Sequence, residues 1–233
     1  MSYSLYIIFG ILPSIIWLLF YLRQDVHPEP KIIILRVFFW GMLATLPVIL
    51  LETGFRDFLD GFSSSLLIKI VYWFLGVALV EEFLKYLVVR DKVLRDPEFD
   101  EPIDAMIYMM IAALGFAALE NILVFLSPEV FFLPLEETLI LVIFRFISVT
   151  FLHALSSGIV GYFLALSFFK QKGGLKTIII GLGISTLLHG LYNFSIMEMG
   201  GNLRIVIPII ILVGLAIFVS LGFKRLKKIT LRR

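Results

Sequence analysis

Cysteine is absent from the 233 residues, which removes disulfide cross-links and thiolate chemistry from consideration. Charge is scarce too. Asp, Glu, Lys and Arg make up 16% of the chain, where soluble domains carry about 25%. The missing polarity is replaced by apolar bulk: 60% of residues are hydrophobic, 23 are Phe, and the mean hydropathy is +1.02. No internal repeat, low-complexity stretch or long polar linker divides the chain, so a single domain over residues 1–233 is predicted. No basic residue precedes the first apolar run and no small-residue cleavage site follows it, which predicts a permanent first helix rather than a removable signal.

The apolar residues fall into seven runs, at 3–22, 32–51, 65–89, 103–126, 138–169, 176–197 and 205–223. Runs of about 18 or more such residues read as membrane spans. A bilayer core forces each to be helical, because backbone groups there must be satisfied within their own segment. The expected fold class is an all-α integral membrane protein, a multi-pass bundle of about seven transmembrane helices in the cell membrane. Basic residues alternate between its connections. Arg23, Lys31, Arg36, Arg90, Lys92, Arg95, Lys170, Lys172, Lys176, Lys224, Arg225, Lys227, Lys228, Arg232 and Arg233 fall on one side, with only Arg56, Lys69 and Arg204 on the other. By the positive-inside rule that places the N-terminus outside and the C-terminus in the cytoplasm. The acidic stretch Arg90 to Asp104 and the turn Asp25-Val26-His27-Pro28-Glu29-Pro30 read as solvated connectors. The two prolines stiffen that turn, and His27 is expected to be structural.

An ionisable side chain at the bilayer centre costs a few kcal/mol or more and is rare without a partner or a function. This chain has a set of them. The third run holds Glu81, Glu82 and Lys85; the fourth holds Glu120 and Asn121; the fifth holds Arg145, His153, Ser156 and Ser157; the sixth holds Ser185, His189 and Asn193. Glu81 and Lys85, four apart, share a helix face. Glu82 is turned about 100° from Glu81, so the two carboxylates are expected to point apart. His189 and Asn193 form one polar stripe, and Arg145, Val149, His153 and Ser157 form another. At about 1.5 Å per residue, Glu81 lies about 13 Å from the cytoplasmic ends and the other groups about 18–26 Å, consistent with one layer in mid-membrane. Lys85 and Arg145 can snorkel, and the serines of the fifth run are expected to bond back to their own helix.

These residues form a sequence of motifs: Glu81-Glu82-x-x-Lys85, then Phe116-x-x-x-Glu120, then His153-Ala-Leu-Ser-Ser-Gly, then His189-Gly-Leu-Tyr-Asn193-Phe. The pattern resembles the PrsW family of bacterial and archaeal intramembrane proteases, distantly similar to the CAAX-prenyl-protease and bacteriocin-processing superfamily. The resemblance runs from Asp25 through Asn193. It implies proteolysis of a membrane-anchored protein, an anti-sigma factor in the PrsW type, as part of stress signal transduction. In the wider superfamily a motif-one Glu activates water with the last residue of a Phe-x-x-x-His motif, while the final His and Asn hold the oxyanion. Here the second motif ends in Glu120, which implies a glutamate-type variant.

The chemistry requires a base for water, an acid for the leaving amine and donors for the oxyanion. Glu81 and Glu120 are the expected acid–base pair, with two carboxyls held close in a low dielectric dividing the roles. Asn193 and His189 are the expected oxyanion donors, Lys85 supports the motif-one carboxylates, and Glu82 and His153 complete the site. No metal or other cofactor is expected, since Lys85 already supplies a cation. Two other classes compete. Two His with two or three Glu could bind zinc, although no His-Glu-x-x-His pair seeds such a site. A transporter or proton relay also uses buried Glu and His, but usually with repeats and broken spans. The expected partners are a membrane-anchored protein and the lipid bilayer. A nucleic-acid partner is not expected, and no oligomeric state is predicted.

Overall fold

The structure is a computed structural model, and it describes all residues except 1–2, 26, 63–64, 170–173 and 231–233. Among the described residues there is no strand. Seven long helical rods follow one another: α1, Tyr3–Leu22; α2, Lys31–Asp60; α3, 66–92; α4, Pro102–Leu126; α5, Leu135–Phe169; α6, Gly174–Glu198; and α7, Leu203–Thr230. Among the described residues, six of these rods are long and apolar enough to cross a membrane. In α3 the apolar run is interrupted by Lys69, Glu81, Glu82 and Lys85. The chain is a multi-pass, all-α membrane protein. Of the basic residues counted above, Lys170, Lys172, Arg232 and Arg233 lie outside the described residues.

Most rods outrun the apolar runs that announce them. The largest difference is in α2, which passes through Pro47 and continues nine residues beyond Leu51 to Asp60. An apolar run ends at the first charge, whereas backbone hydrogen bonding continues, so Glu52 lies inside the helix rather than in a loop. Local signals fix several ends. Ser65 Oγ caps α3 by accepting the Ile68 N–H. At the start of α4, Pro102 occupies the first turn and Asp104 accepts the Glu101 N–H at 2.7 Å. A single turn, Pro128–Phe131, connects α4 to α5, and Tyr6 of α1 donates to its Phe131 carbonyl at 2.8 Å.

The bundle is built around α4, which is buried without a break from Pro102 to Ala118. It packs on α1, α2 and the second half of α5. Small residues allow the backbones to meet: a Cβ on Gly41 would stand 2.2 Å from the Ala112 carbonyl oxygen, and one on Gly115 would stand 2.0 Å from that of Phe38. The outer faces of the other rods carry Leu, Ile and Phe exposed to the surroundings, as lipid contact requires. Two rods contain π-helical stretches, Tyr72–Leu79 in α3 and Arg145–Val149 in α5. The first ends two residues before Glu81, and the second begins at Arg145 and ends four residues before His153.

Candidate active site

Glu81 and Glu82 open the α-helical part of α3 directly after its π-helical stretch. Both carboxylates turn to the same side, contrary to the expectation from their 100° offset. Lys85 is the reason. Its ammonium, fully buried, lies 2.9 Å from Glu81 Oε2 and 3.0 Å from Glu82 Oε1, and being four residues from one and three from the other it draws them together. Its third donor reaches His153 Nδ1 at 2.8 Å. An ammonium has three donors and no acceptor, so Lys85 is fully used and His153 Nδ1 must present a lone pair.

The two carboxylates differ in how they are satisfied. Five donor groups surround Glu82: Lys85, Ser156 at 3.1 Å, Ser157 at 2.8 Å, Ser185 at 3.2 Å and His189 Nδ1 at 3.0 Å. Ser156 also reaches back to the His153 carbonyl at 3.3 Å, as expected of a helix serine, and Ser185 reaches the Ser156 carbonyl at 2.9 Å, so both share a single proton between two acceptors, whereas Ser157 donates to the carboxylate alone. Glu82 has no solvent exposure, and both of its oxygens accept hydrogen bonds. Glu81, by contrast, holds only Lys85 by a hydrogen bond, with His153 Nδ1 at 3.4 Å and His189 Nε2 at 3.9 Å from the same oxygen. Because Glu82 accepts the proton on His189 Nδ1, the Nε2 of a neutral His189 carries a lone pair toward Glu81.

Glu120 stands on the far side of His153. Its Oε2 is 2.8 Å from His153 Nε2, which must carry the ring proton because Nδ1 does not. The two carboxyls expected to form a close pair, Glu81 and Glu120, are therefore separated by an imidazole, and each has its own cation. For Glu120 it is Arg145, whose Nη2 lies 3.0 Å from Oε1. Arg145 is thus an internal ion-pair partner rather than a snorkelling residue. Asn121 accepts from its Nε at 2.5 Å and donates to Thr150 Oγ1 at 3.0 Å. Phe116 packs against the layer, with the Lys85 ammonium 4.3 Å from its ring centroid.

The site therefore brings together Glu81, Glu82, Lys85, Glu120, His153 and His189 from α3, α4, α5 and α6. Asn193, half-buried one turn beyond His189, makes no side-chain hydrogen bond among the described residues. One member escaped the sequence reading: Glu52 on α2. The register is set by Thr45, which donates to the Phe116 carbonyl at 3.2 Å, and by Phe55, which covers Gly76. Between those contacts Glu52 falls within electrostatic reach of Glu81, Glu120 and Lys85, and its Oε1 is buried without a hydrogen-bond partner. The available signal was a single Glu one residue past an apolar run.

Glu81, Glu82, His153 and His189 can each place one donor atom within 4.8 Å of the others, all buried. Two imidazoles and carboxylate oxygens suit a zinc-like divalent ion chemically, and the lone pairs on His153 Nδ1 and His189 Nε2 face the Glu81 carboxylate. The donor set fits. The same space is served by the Lys85 ammonium.

His27 is exposed and paired with Glu101 at 2.5 Å, in keeping with a structural role. Near it, Glu29 is buried and accepts from the Tyr108 hydroxyl.

A family model described as "PrsW family intramembrane metalloprotease" matches residues 29–221. The Protease PrsW of Geobacillus kaustophilus is 32% identical over 189 residues, 81% of this chain and 78% of that protein. That of Oceanobacillus iheyensis is 29% identical over 87% of this chain and 88% of its own. That of Bacillus subtilis is 29% identical over 87% of both. No solved structure matches significantly. The family match runs through every helix that contributes to the buried charged layer, and the chain belongs to the PrsW family of intramembrane proteases.

Proposed function

We propose that this intramembrane protease hydrolyses a membrane-anchored protein with Glu81 as the base that activates water, Glu82 as the fixed anchor of the site, and Glu120 acting through His153. One observation carries the assignment: of the two motif-one carboxylates, Glu82 accepts at both oxygens, Oε1 from Lys85 and His189 and Oε2 from Ser157, while Glu81 accepts only at Oε2, from Lys85, and its Oε1 has no hydrogen bond. A base needs a free lone pair within reach of its water, and of these two carboxylates only Glu81 has an oxygen without a hydrogen bond. Water held against Glu81 gives up its proton as it attacks the carbonyl. The Asn193 amide, free of internal partners, is the neutral donor for the oxyanion. His189, when protonated, keeps Nδ1–H on Glu82 and offers Nε2–H to the oxyanion or the leaving nitrogen. That the substrate is of the anti-sigma-factor type rests on the family resemblance. The N-terminus outside and C-terminus in the cytoplasm rest on the basic-residue count.

A second reading is favoured by the converging lone pairs and by the family's description as metalloproteases. In it Glu81, His153 Nδ1 and His189 Nε2 would hold a divalent ion. When bound, such an ion supplies a Lewis acid that makes its water a nucleophile near neutral pH. Lys85 would then give up its bond to His153, and Glu82 would keep the His189 tautomer fixed.

Purified enzyme acting on a co-reconstituted single-span substrate separates the two. The metal-free mechanism predicts full turnover after prolonged chelation, no stoichiometric zinc by elemental analysis, and no turnover in Glu81→Gln. Activity that disappears with chelator and returns with zinc selects the second reading; turnover in Glu81→Gln removes both.

A further inference from the structure

We propose that Arg145, aimed by Asn121, is a positioning residue of this site: it fixes Glu120 and through it the orientation of the His153 imidazole. The inference rests on the role given above to the Glu81–His153 pair. It begins in the backbone. The Thr150 N–H bonds to the Arg145 carbonyl, a five-residue step that marks the π-helical turn. In an unbroken α-helix, positions 145 and 153 would lie about 80° apart around the axis. The extra residue of the π turn makes eight residues span what seven would, leaving about 20°. Arg145 and His153 thus share one face of α5, and both reach the same carboxylate of α4. Arg145 Nη2 is 3.0 Å from Glu120 Oε1, and His153 Nε2 is 2.8 Å from Glu120 Oε2.

Asn121 has no orientational freedom. Its amide nitrogen donates to Thr150 Oγ1 at 3.0 Å and to the Gly10 carbonyl at 3.4 Å, and that carbonyl can only accept. Its oxygen must therefore face the Arg145 Nε, 2.5 Å away. The guanidinium is held on one edge by Asn121 and presents the other to Glu120. The Nη2 contact is a charge contact without hydrogen-bond alignment, so Arg145 attracts one oxygen of Glu120 without saturating it, and the other oxygen remains for His153. With Glu120 held there, the Nε2–H of His153 has its acceptor, and the ring keeps its Nδ1 lone pair on the Glu81 and Lys85 side. Released, Glu120 can swing away at its outward-facing side, where its side chain is 28% exposed. The Nε2–H of His153 then loses its acceptor, and the ring is held only by the Lys85 bond to Nδ1.

Cleavage by purified Arg145→Gln, Arg145→Lys, Asn121→Ala and Glu81→Gln, with thermal melting of each, tests this. Arg145→Gln should lower kcat on the order of ten- to a hundredfold with KM within twofold, the size usual for groups that orient an active imidazole. Arg145→Lys should recover to within about fivefold of wild type, since it restores the charge and loses only the fork. Asn121→Ala keeps both charges of the pair, so it should fold even if Arg145→Gln does not, and it should lower kcat with unchanged KM. The proposal is overturned if Arg145→Gln or Asn121→Ala turns over within twofold of wild type. It is overturned equally if the Lys and Gln variants lose kcat and melting temperature alike, which is the signature of a purely structural charge. Turnover by Glu81→Gln would instead sink the catalytic assignment on which it rests.

Discussion

Exchanging each motif-one glutamate for glutamine should separate folding from chemistry. In Glu82→Gln the amide oxygen can still accept from Lys85, Ser156 and His189, and the amide nitrogen replaces the oxygen that faces Ser157 and Ser185, whose hydroxyls can turn to accept. What is lost is charge. A hydrogen bond to an ionised group contributes about 1.5–3 kcal/mol and a neutral one about 0.5–1.5, so three bonds that each lose about 1 kcal/mol amount to roughly 3 kcal/mol. That lies at the low edge of the cost of breaking a buried ion pair, about 3–5 kcal/mol, as it should when Lys85 retains Glu81. In Glu81→Gln only the Lys85 bond weakens, a loss of about 1 kcal/mol by the same reasoning. The difference of about 2 kcal/mol is roughly thirtyfold in the unfolding equilibrium. Unfolding in detergent, followed by the fluorescence of Trp17, Trp40 and Trp73, measures it beside a cleavage assay run below both melting points. Glu81→Gln should keep nearly wild-type stability and cleave nothing, while Glu82→Gln should be distinctly less stable. Equal stabilities, or the reverse order, would refute the division of roles between the two residues.

Three further outcomes are expected. Reporter fusions should find the N-terminus outside and the C-terminus in the cytoplasm; a cytoplasmic N-terminus would invert every depth assigned here. Asn193→Ala should lower kcat on the order of a hundredfold, the usual effect of losing an oxyanion donor, without a change in melting because the amide has no internal partner to lose. Burial pushes the Glu29 carboxyl up to about 7, reinforced by Asp25 and Asp100 and opposed by hydrogen bonds from Tyr108 and Asp104. The folded state thus retains a proton that the unfolded chain releases, so stability falls as pH rises from about 4.5 to about 7. Glu29→Gln should be the more stable protein at pH 8 and no more stable at pH 4, measured by denaturation at the two values.

The helices were legible in the sequence because the bilayer leaves only one secondary structure for a long apolar run. The motif residues were legible because charge inside such a run has to be explained. Contacts between helices were not. That Glu81 and Glu82 converge follows from Lys85 reaching both, which helical angles alone conceal. That Arg145 faces Glu120 depends on a π turn, for which the sequence Arg145-Phe-Ile-Ser-Val149 carries no recognisable mark. Glu52 was hidden by the boundary rule itself, since an apolar run stops at the first charge while the helix continues to Asp60.

Glu52 also changes the charge balance on which a metal-free site was argued. The layer contains the carboxyls of Glu52, Glu81, Glu82 and Glu120 against the cations Lys85 and Arg145. With all four carboxyls ionised the layer is two charges negative, which one divalent ion would cancel. With a neutral group at Glu52 it is one charge negative, and no ion is called for. The two mechanisms therefore place opposite demands on this residue. Glu52→Gln removes its charge while keeping its size. In a metal-free enzyme the substitution should leave turnover within a few-fold and stability unchanged or higher, because the Glu52 oxygen has no hydrogen bond to lose. In a metal enzyme it should weaken ion binding on the order of ten- to a hundredfold, as removal of supporting charge around a metal does. Titrating zinc into chelated wild type and Glu52→Gln, with bound ion and cleavage read in parallel, gives the answer. Equal turnover and no ion bound by either protein sustains the glutamate mechanism; restoration of wild type at a concentration that fails to restore Glu52→Gln would overturn it.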